Sequence, residues 1–301
     1  MIDYKKILKN QGLRFRILNF LSWVPDKTMV KLQYRIKLGR KLDLKNPKRF
    51  TEKLQWYKLY YRNPIMHQCV DKYEVRKYVE KKGLKEILNE LYGVYDSPDE
   101  IDFDKLPDKF VIKTTAGTGG QNVLLCDDKN KLDIEETKKK LKYWLKLNPK
   151  KSFGREWAYE GNKNRIVVEK YIESDAGSLI DYKFFCFDGE IKCLYIITER
   201  DLGKSAKFGI YDVNCKKIEA YRCDEQKQVK GVEKPKNFDK MKKYASILSE
   251  DFPHARIDFY CVDGKIIFGE ITFYDGSGYM SFEPDDFDYE LGEWFKTGGE
   301  R

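Results

Sequence analysis

Four polar residues within one short stretch carry the most chemical information in this chain. Arg256, Asp258, Glu270 and Thr272 flank Asp263-Gly264, a turn dipeptide that joins two apolar runs into a β-hairpin. The register decides what these residues can do. A two-residue turn pairs Val262 with Lys265 and sends Asp258 and Glu270 to opposite faces. A three-residue loop pairs Val262 with Ile266, which sets Asp258 opposite Glu270 and Arg256 opposite Thr272. The second register is expected, because it collects Ile257, Phe259, Cys261, Ile267, Gly269 and Ile271 on one uncharged face. Tyr260, Val262, Ile266 and Phe268 then share the face of the acids. Directly opposed carboxylates repel unless a cation lies between them. Oxygen-only donors suit magnesium, which takes one or two carboxylates and completes its octahedron with phosphate oxygens and water. Arg256 beside them can neutralise a transferring phosphoryl group or a developing oxyanion. The same charges can equally form a structural Arg–Asp–Glu cluster on a sheet face.

A second segment points to phosphate. Lys113 precedes a turn that holds Gly117, Gly119 and Gly120. Glycine lets backbone amides approach an anion closely. The order is wrong for a Walker loop, which places its lysine after the glycines and opens a helix. Here a strand follows, so the expected geometry is a hairpin flap able to fold over a triphosphate; a plain glycine-rich loop is the alternative.

The elements that must position these groups fall into an α+β pattern. Residues 1–104 read as mainly helical, with Thr51 as the N-cap of a helix whose apolar residues recur through Leu54, Tyr57 and Tyr61. A second helix is expected from Asp71 to Lys82, ending near Gly83. Residues 105–169 read as a central unit: a strand at 109–113, the glycine turn, a strand at 122–126, a helix at 131–147 and a strand at 166–169. Residues 170–301 read as a C-terminal unit with strands at 181–187 and 190–197. A lysine-rich segment from about 203 to 237, a helix at 238–249 and the acidic hairpin follow. Strand pairs joined by hairpin turns favour antiparallel sheets over a doubly wound parallel one.

Composition narrows the partners. The 301 residues carry a net charge of +9 and are 15% aromatic, too rich in large rings for a disordered chain. That charge favours anionic partners without choosing among them. Seven cysteines without a CxxC pair, and only two histidines, read as reduced thiols in a cytosolic protein and argue against zinc. No apolar run reaches the ~18 residues that suggest a membrane span. Residues 5–24 can form a basic amphipathic helix, either packed on the body or touching an anionic membrane face.

Taken in order, these segments resemble the ATP-grasp superfamily and, within it, the TupA-like branch associated with teichuronopeptide and bacterial surface polysaccharide synthesis. The resemblance spans roughly residues 30 to 295. It rests on the run from Phe50 to Leu59, on Lys113 with its flap, on Val168-Glu-Lys-Tyr-Ile172, on Asp181 to Gly189 and on the hairpin with Gly269-Glu-Ile-Thr-Phe273. It implies that Lys72 and Lys113 reach the nucleotide phosphates and that Gly117, Gly119 and Gly120 cover them. Glu169, Lys170, Tyr171 and Ile172 would form the hinge, with the backbone of Lys170 and Ile172 reading adenine. Asp181 would hold the ribose, and Lys183 would point towards phosphate or acceptor. Asp258 and Glu270 would be the magnesium carboxylates, with Arg256 near the reacting phosphoryl. Thr272 stands where many superfamily members have Asn, which weakens that metal position.

The activity this resemblance implies is carboxylate activation by ATP and magnesium through an acyl phosphate, completed by an amine. The acceptor would be a uronic acid or amino acid, free or glycan-linked. Two other enzymes fit some of the residues. A phosphotransferase would use a hydroxyl acceptor on the same fold. A nucleotide-sugar glycosyltransferase would use the DxD patterns Asp102-Phe-Asp104 and Asp286-Phe-Asp288. Nucleic acid is not an expected partner, because no recognition motif accompanies the charge.

Overall fold

A run of alternating bulky residues, Asp-Tyr-Lys-Phe-Phe-Cys-Phe, forms a strand buried along its whole length, and the larger sheet is built around it. A computed structural model describes residues 17–116, 122–147, 152–173, 179–201 and 205–297. The helices are α1 (Asp26–Leu38), α2 (Phe50–Tyr60), α3 (Ile65–Val70), α4 (Val75–Lys81), α5 (Ile134–Lys146), α6 (Phe238–Ser249) and α7 (Asp286–Trp294). The strands are β1 (Leu91–Tyr95), β2 (Phe110–Thr114), β3 (Val123–Cys126), β4 (Ile166–Lys170), β5 (Asp181–Phe187) and β6 (Glu190–Asp201). They continue as β7 (Ser205–Asp212), β8 (Tyr221–Arg222), β9 (Gln226–Lys227), β10 (His254–Val262), β11 (Lys265–Thr272) and β12 (Phe282–Glu283).

Two sheets carry the architecture, and the α+β reading holds. The smaller has the order β1-β4-β2-β3 and the larger β11-β10-β5-β6-β7-β9. Alternation in β2 buries Phe110, Ile112 and Thr114, while Val111 and Lys113 are half-buried on its other face. Leu141 and Trp144 of α5 complete that core. In the larger sheet, Phe184 meets Phe238 of α6 on one face, and Phe185 meets Phe50 of α2 on the other. The strand β1, inside the stretch read as mainly helical, and β7, inside the lysine-rich segment, were not expected. Both are anchored by pairing to a neighbour, β4 and β6 respectively.

Three local expectations are corrected. The acidic hairpin pairs Asp258 with Glu270 and Arg256 with Thr272 as expected, but by a different route. Its turn has two residues, Asp263 and Gly264, with φ of 51° and 76°, and pairs Val262 with Lys265. A β-bulge then shifts the register between Asp258 and Phe259, at Gly269 on the facing strand. A Cβ at Gly269 would lie 3.0 Å from the Asp258 carbonyl oxygen, so glycine is what lets the strands close here. As a result Ile266 and Phe268 pair with Cys261 and Phe259 on the apolar face, and Ile267 pairs with Tyr260 on the other. The helix expected from Asp71 begins at Val75. Asp71 instead closes a turn, its Oδ1 accepting from the amides of Tyr73 and Glu74 at 2.8 and 2.9 Å.

The third correction concerns Thr51. The helix α2 starts one residue earlier, at Phe50, so Thr51 lies in its first turn. Glu52 accepts from the Arg49 amide at 3.2 Å as a local capping contact, and the rest of the cap comes from elsewhere in the chain. Asp288 on α7 accepts from the Thr51 amide at 3.0 Å and from its hydroxyl at 2.8 Å. Its carboxylate is 3% exposed and pairs with Arg49 at 3.4 Å. Asp286 is exposed and makes no such contact among the described residues. The Asp286-Phe-Asp288 pattern is therefore a helix-to-helix clamp rather than an open metal–diphosphate site. In urea denaturation, Asp288→Ala should lose about 1–2 kcal/mol through the orphaned helix start. Asp286→Ala should stay within about 0.5 kcal/mol of the parent. Equal effects would refute the clamp.

Candidate active site

Cross-strand pairing builds a charged row on one face of the larger sheet. Tyr195 on β6, Lys183 on β5, Asp258 on β10 and Glu270 on β11 are successive partners, so their side chains emerge on the same side. Lys183 donates to Asp258 Oδ2 and stands 3.9 Å from Asp181. Arg256 lies in the adjacent row and binds nearly everything around it. Its Nε donates to Asp258 Oδ1 at 2.8 Å, and its Nη2 to Asp258 Oδ2 at 2.7 Å. Nη2 also reaches Glu270 at 3.0 Å and the Thr272 hydroxyl at 3.1 Å. Nη1 donates to Asp275.

Electrostatics separates the two carboxylates. Burial pushes Asp258 up against the opposing pull of Arg256 and Lys183. Burial acts on Glu270 in the same sense, but Lys183, Arg256 and Lys72 outweigh it and hold its carboxyl at about 2. The Glu270 side chain is 46% exposed, against 5% for Asp258. Glu270 is thus the ionised, accessible acid, and Asp258 the inner one.

The smaller sheet contributes a second charged group. Lys113 on β2 donates to Glu169 on β4 at 2.7 Å, and Arg76 of α4 stands 3.6 Å from the other carboxylate oxygen. Glu169 is buried between the two cations, so it positions Lys113. Lys72, at the turn before α4, feels both sheets. Burial pulls its ammonium down to about 8; Glu270 of the larger sheet opposes this, and Lys113 of the smaller one adds to it. A half-exposed carboxylate, a lysine on each sheet and a lysine between them therefore converge on one region.

Of the remaining expected site residues, Lys170 has its backbone engaged. The Lys170 amide donates to the Glu90 carbonyl at 2.9 Å, and its carbonyl accepts from Asn89 Nδ2 at 2.8 Å. Its N–H is not available to an adenine edge. Tyr171 and Ile172 follow β4 in extended chain and are half-buried. Asp181 is 2% exposed, at the start of β5. Thr272 accepts from Arg256 and lies 3.3 Å from Glu270, as a positioning group within the cluster. Gly117, Gly119 and Gly120 lie outside the described residues.

Asp275 and Arg222 were not anticipated. Asp275 is 1% exposed and joins Arg256 to Arg222, whose Nη1 is 3.5 Å away. Arg222 turns outward to Asp224 at 2.8 Å. The only sequence signal for Asp275 was its place in a turn, three residues after Thr272. Arg222 lay in the lysine-rich segment, where no periodicity marked it.

Removing Arg256 leaves the buried Asp258 and Asp275 and the half-exposed Glu270 without their shared cation. Arg256→Ala should therefore destabilise the fold by about 3–5 kcal/mol. Arg256→Lys keeps the charge but loses the planar fork, so roughly 1–3 kcal/mol of the loss should remain. Denaturation of the two variants checks this; parental stability in Arg256→Ala would show that the cluster is not held by its arginine.

Comparison with known proteins adds three findings. The model of the TupA-like ATP-grasp family matches residues 52–296. Among curated proteins, none matches the sequence. Among solved structures, a D-alanine–D-alanine ligase from Bacillus anthracis aligns at 19% identity and TM-score 0.41, over 68% of this chain and 57% of that one. An L-amino acid ligase from Bacillus licheniformis aligns at 15% and 0.42, over 72% and 44%. The ADP complex of purK, an N5-carboxyaminoimidazole ribonucleotide synthetase, aligns at 12% and 0.44, over 74% and 50%. The chain spans about half the length of these structures.

Proposed function

This chain belongs to the TupA-like ATP-grasp family, and from that premise we propose that it is an ATP-dependent carboxylate–amine ligase. The observation that carries the reading is the convergence of Lys72, Lys113 and Lys183 with Glu270 between the two sheets. Lys72 and Lys183 act on the accessible Glu270 carboxylate, and Lys113 acts on Lys72; such a set of ammonium groups matches a metal-bound triphosphate better than a neutral ligand. The nucleotide would lie between residues 105–169 and 170–301, with Glu169 holding Lys113 towards the phosphates and Tyr171 and Ile172 beside the base. Asp181 would face the ribose.

The donor set fits magnesium. Asp258 and Glu270 offer oxygens on one sheet face, and Glu270 is the better ligand because it is ionised and half-exposed. The ion would supply charge neutralisation for the phosphates. Lys183, now on Asp258, would turn to phosphate when a cation takes that carboxylate. Arg256 keeps both acids at their spacing, and Lys72 and Lys113 offset charge on the transferring group.

The substrate carboxylate would attack the γ-phosphorus and release ADP. The amine would then attack the acyl carbon and release phosphate, giving an amide. No protein nucleophile is needed. The glycine segment 117–120 would exclude water from the acyl phosphate. The proposed carboxylate is a uronic or amino acid used in bacterial surface polysaccharide synthesis. Such a reaction belongs in the cytoplasm, where ATP is supplied.

Thermal denaturation with Mg-ATP, Mg-nucleotide sugars and each metal alone tests this. At a hundredfold excess over Kd, Mg-ATP should stabilise the parent by about 2.7 kcal/mol. Lys113→Ala and Glu270→Gln should abolish the effect. Stabilisation by nucleotide sugars alone would overturn the reading, and ADP release dependent on a hydroxyl acceptor would make the protein a phosphotransferase.

The Lys72 ammonium gives a pH signature. Below about 8 it is charged and attracts phosphate; above that it is neutral. ATP affinity should therefore weaken as pH rises through this value, and Lys72→Arg, which stays charged, should flatten the dependence. Parallel profiles for the two proteins would remove Lys72 from the phosphate site.

A further inference from the structure

We propose that the segment from Ile17 to Ile36 is a docking surface for an anionic membrane. This goes beyond the ligase reading and does not depend on it. The first observation is where apolar side chains are exposed. Phe20 and Trp23 are 76% and 74% exposed, and Ile17, Leu32 and Ile36 are 37%, 49% and 43% exposed. Other large apolar residues exposed among the described ones, such as Leu125, Tyr143 and Val229, are scattered along the chain. Single exposed residues need no explanation, but a concentration within one short segment does.

The segment is tied to the body. Arg155, itself 4% exposed, donates through Nη2 to the Leu21 carbonyl at 2.8 Å and through Nη1 to the Ser22 carbonyl at 3.3 Å. The same Nη1 pairs with Asp26 at 3.3 Å. The turn carrying Trp23 is therefore anchored by its backbone while the indole stays outside. Helix α1 is likewise packed on one side and exposed on the other. It buries Met29, Val30, Gln33, Tyr34 and Leu38. Its opposite side shows Leu32 and Ile36, one turn apart, beside Lys27, Lys31 and Arg35, which repeat every four residues.

The charge pattern selects the occupant. From Lys27 to Lys41 the sequence holds no acidic residue. Upstream, Lys5, Lys6, Lys9, Arg14 and Arg16 outnumber Asp3. Like charges four residues apart work against a helix unless something anionic faces them. A second copy of the chain would bring two such ladders together, which repel. A bilayer with anionic headgroups satisfies both parts of the surface. Rings of Trp and Phe enter the boundary between headgroups and acyl chains, while lysine and arginine tips remain at the phosphates.

Vesicle flotation of the full chain tests the proposal. Vesicles containing phosphatidylglycerol should carry the protein, and vesicles of phosphatidylcholine alone should not. Raising the salt should weaken the binding. The exposed double variant Phe20→Ser/Trp23→Ser should lose about tenfold or more in partition. The variant Lys27→Glu/Lys31→Glu/Arg35→Glu should lose the preference for anionic lipid. Both should keep the parental melting temperature, since neither touches the core. Failure to bind phosphatidylglycerol vesicles at low salt would overturn the proposal. So would equal binding by the parent and both variants, or lipid-independent dimerisation that Phe20→Ser/Trp23→Ser abolishes.

Discussion

A single guanidinium, buried among three carboxylates, sets the shape of this site. Asp258, Glu270 and Asp275 would repel one another strongly where water is scarce, because the Coulomb energy between charges rises as the dielectric falls. Arg256 answers all three at once. Its planar fork holds Asp258 through Nε and Nη2 along one edge, and reaches Glu270 through the same Nη2 and Asp275 through Nη1. Lysine has no equivalent geometry. With the repulsion neutralised, one carboxylate can remain ionised and half-exposed, and that is Glu270. The bulge at Gly269 is part of the same device, since it restores the pairing of Asp258 with Glu270 beyond a two-residue turn.

The N-terminal helices serve this cluster from behind. The run from Phe50 to Leu59 has the look of a functional motif, yet its polar residues are structural ties. Gln55 and Lys58 bind the carbonyl of Ser277, just beyond Asp275. Lys53 binds the carbonyl of Phe295, and Tyr57 that of His254. Lys58 is buried, and burial pulls its ammonium down to about 7. Its Nζ also donates to Gln55 Oε1 and Ser277 Oγ, so the three acceptors occupy its three N–H groups. These ties hold the loop that carries Asp275, and through Asp275 they bear on Arg256. The fixed cluster on one sheet acts through Glu270 on Lys72, which also feels Lys113 of the smaller sheet.

Legibility followed the range of the forces involved. The α+β class, most strands and the long helices were readable because alternation and helical periodicity are local. Strands such as β1 and β7 were not, because their sequences are weakly patterned and they become strands by pairing with β4 and β6. The Asp258–Glu270 pairing was inferred correctly from the wrong turn. An apolar count cannot distinguish a three-residue loop from a two-residue loop followed by a bulge, and only a close backbone approach at Gly269 separates them. Thr51 failed as an N-cap for a related reason, since its cap arrives from Asp288, far along the chain.

By itself, the sequence determined which charged groups are available and which of them share a strand face, because side-chain direction in a strand follows from residue number. It also determined the family, through the order of its segments. Only the tertiary structure decided which groups are partnered. The Lys170 amide is closed off by Glu90, and Asp288 became a clamp. Asp275 became the second anchor of Arg256, and Glu169 became the holder of Lys113. Each of these is a contact between residues distant in the chain, where burial and distance rather than local pattern govern the energy.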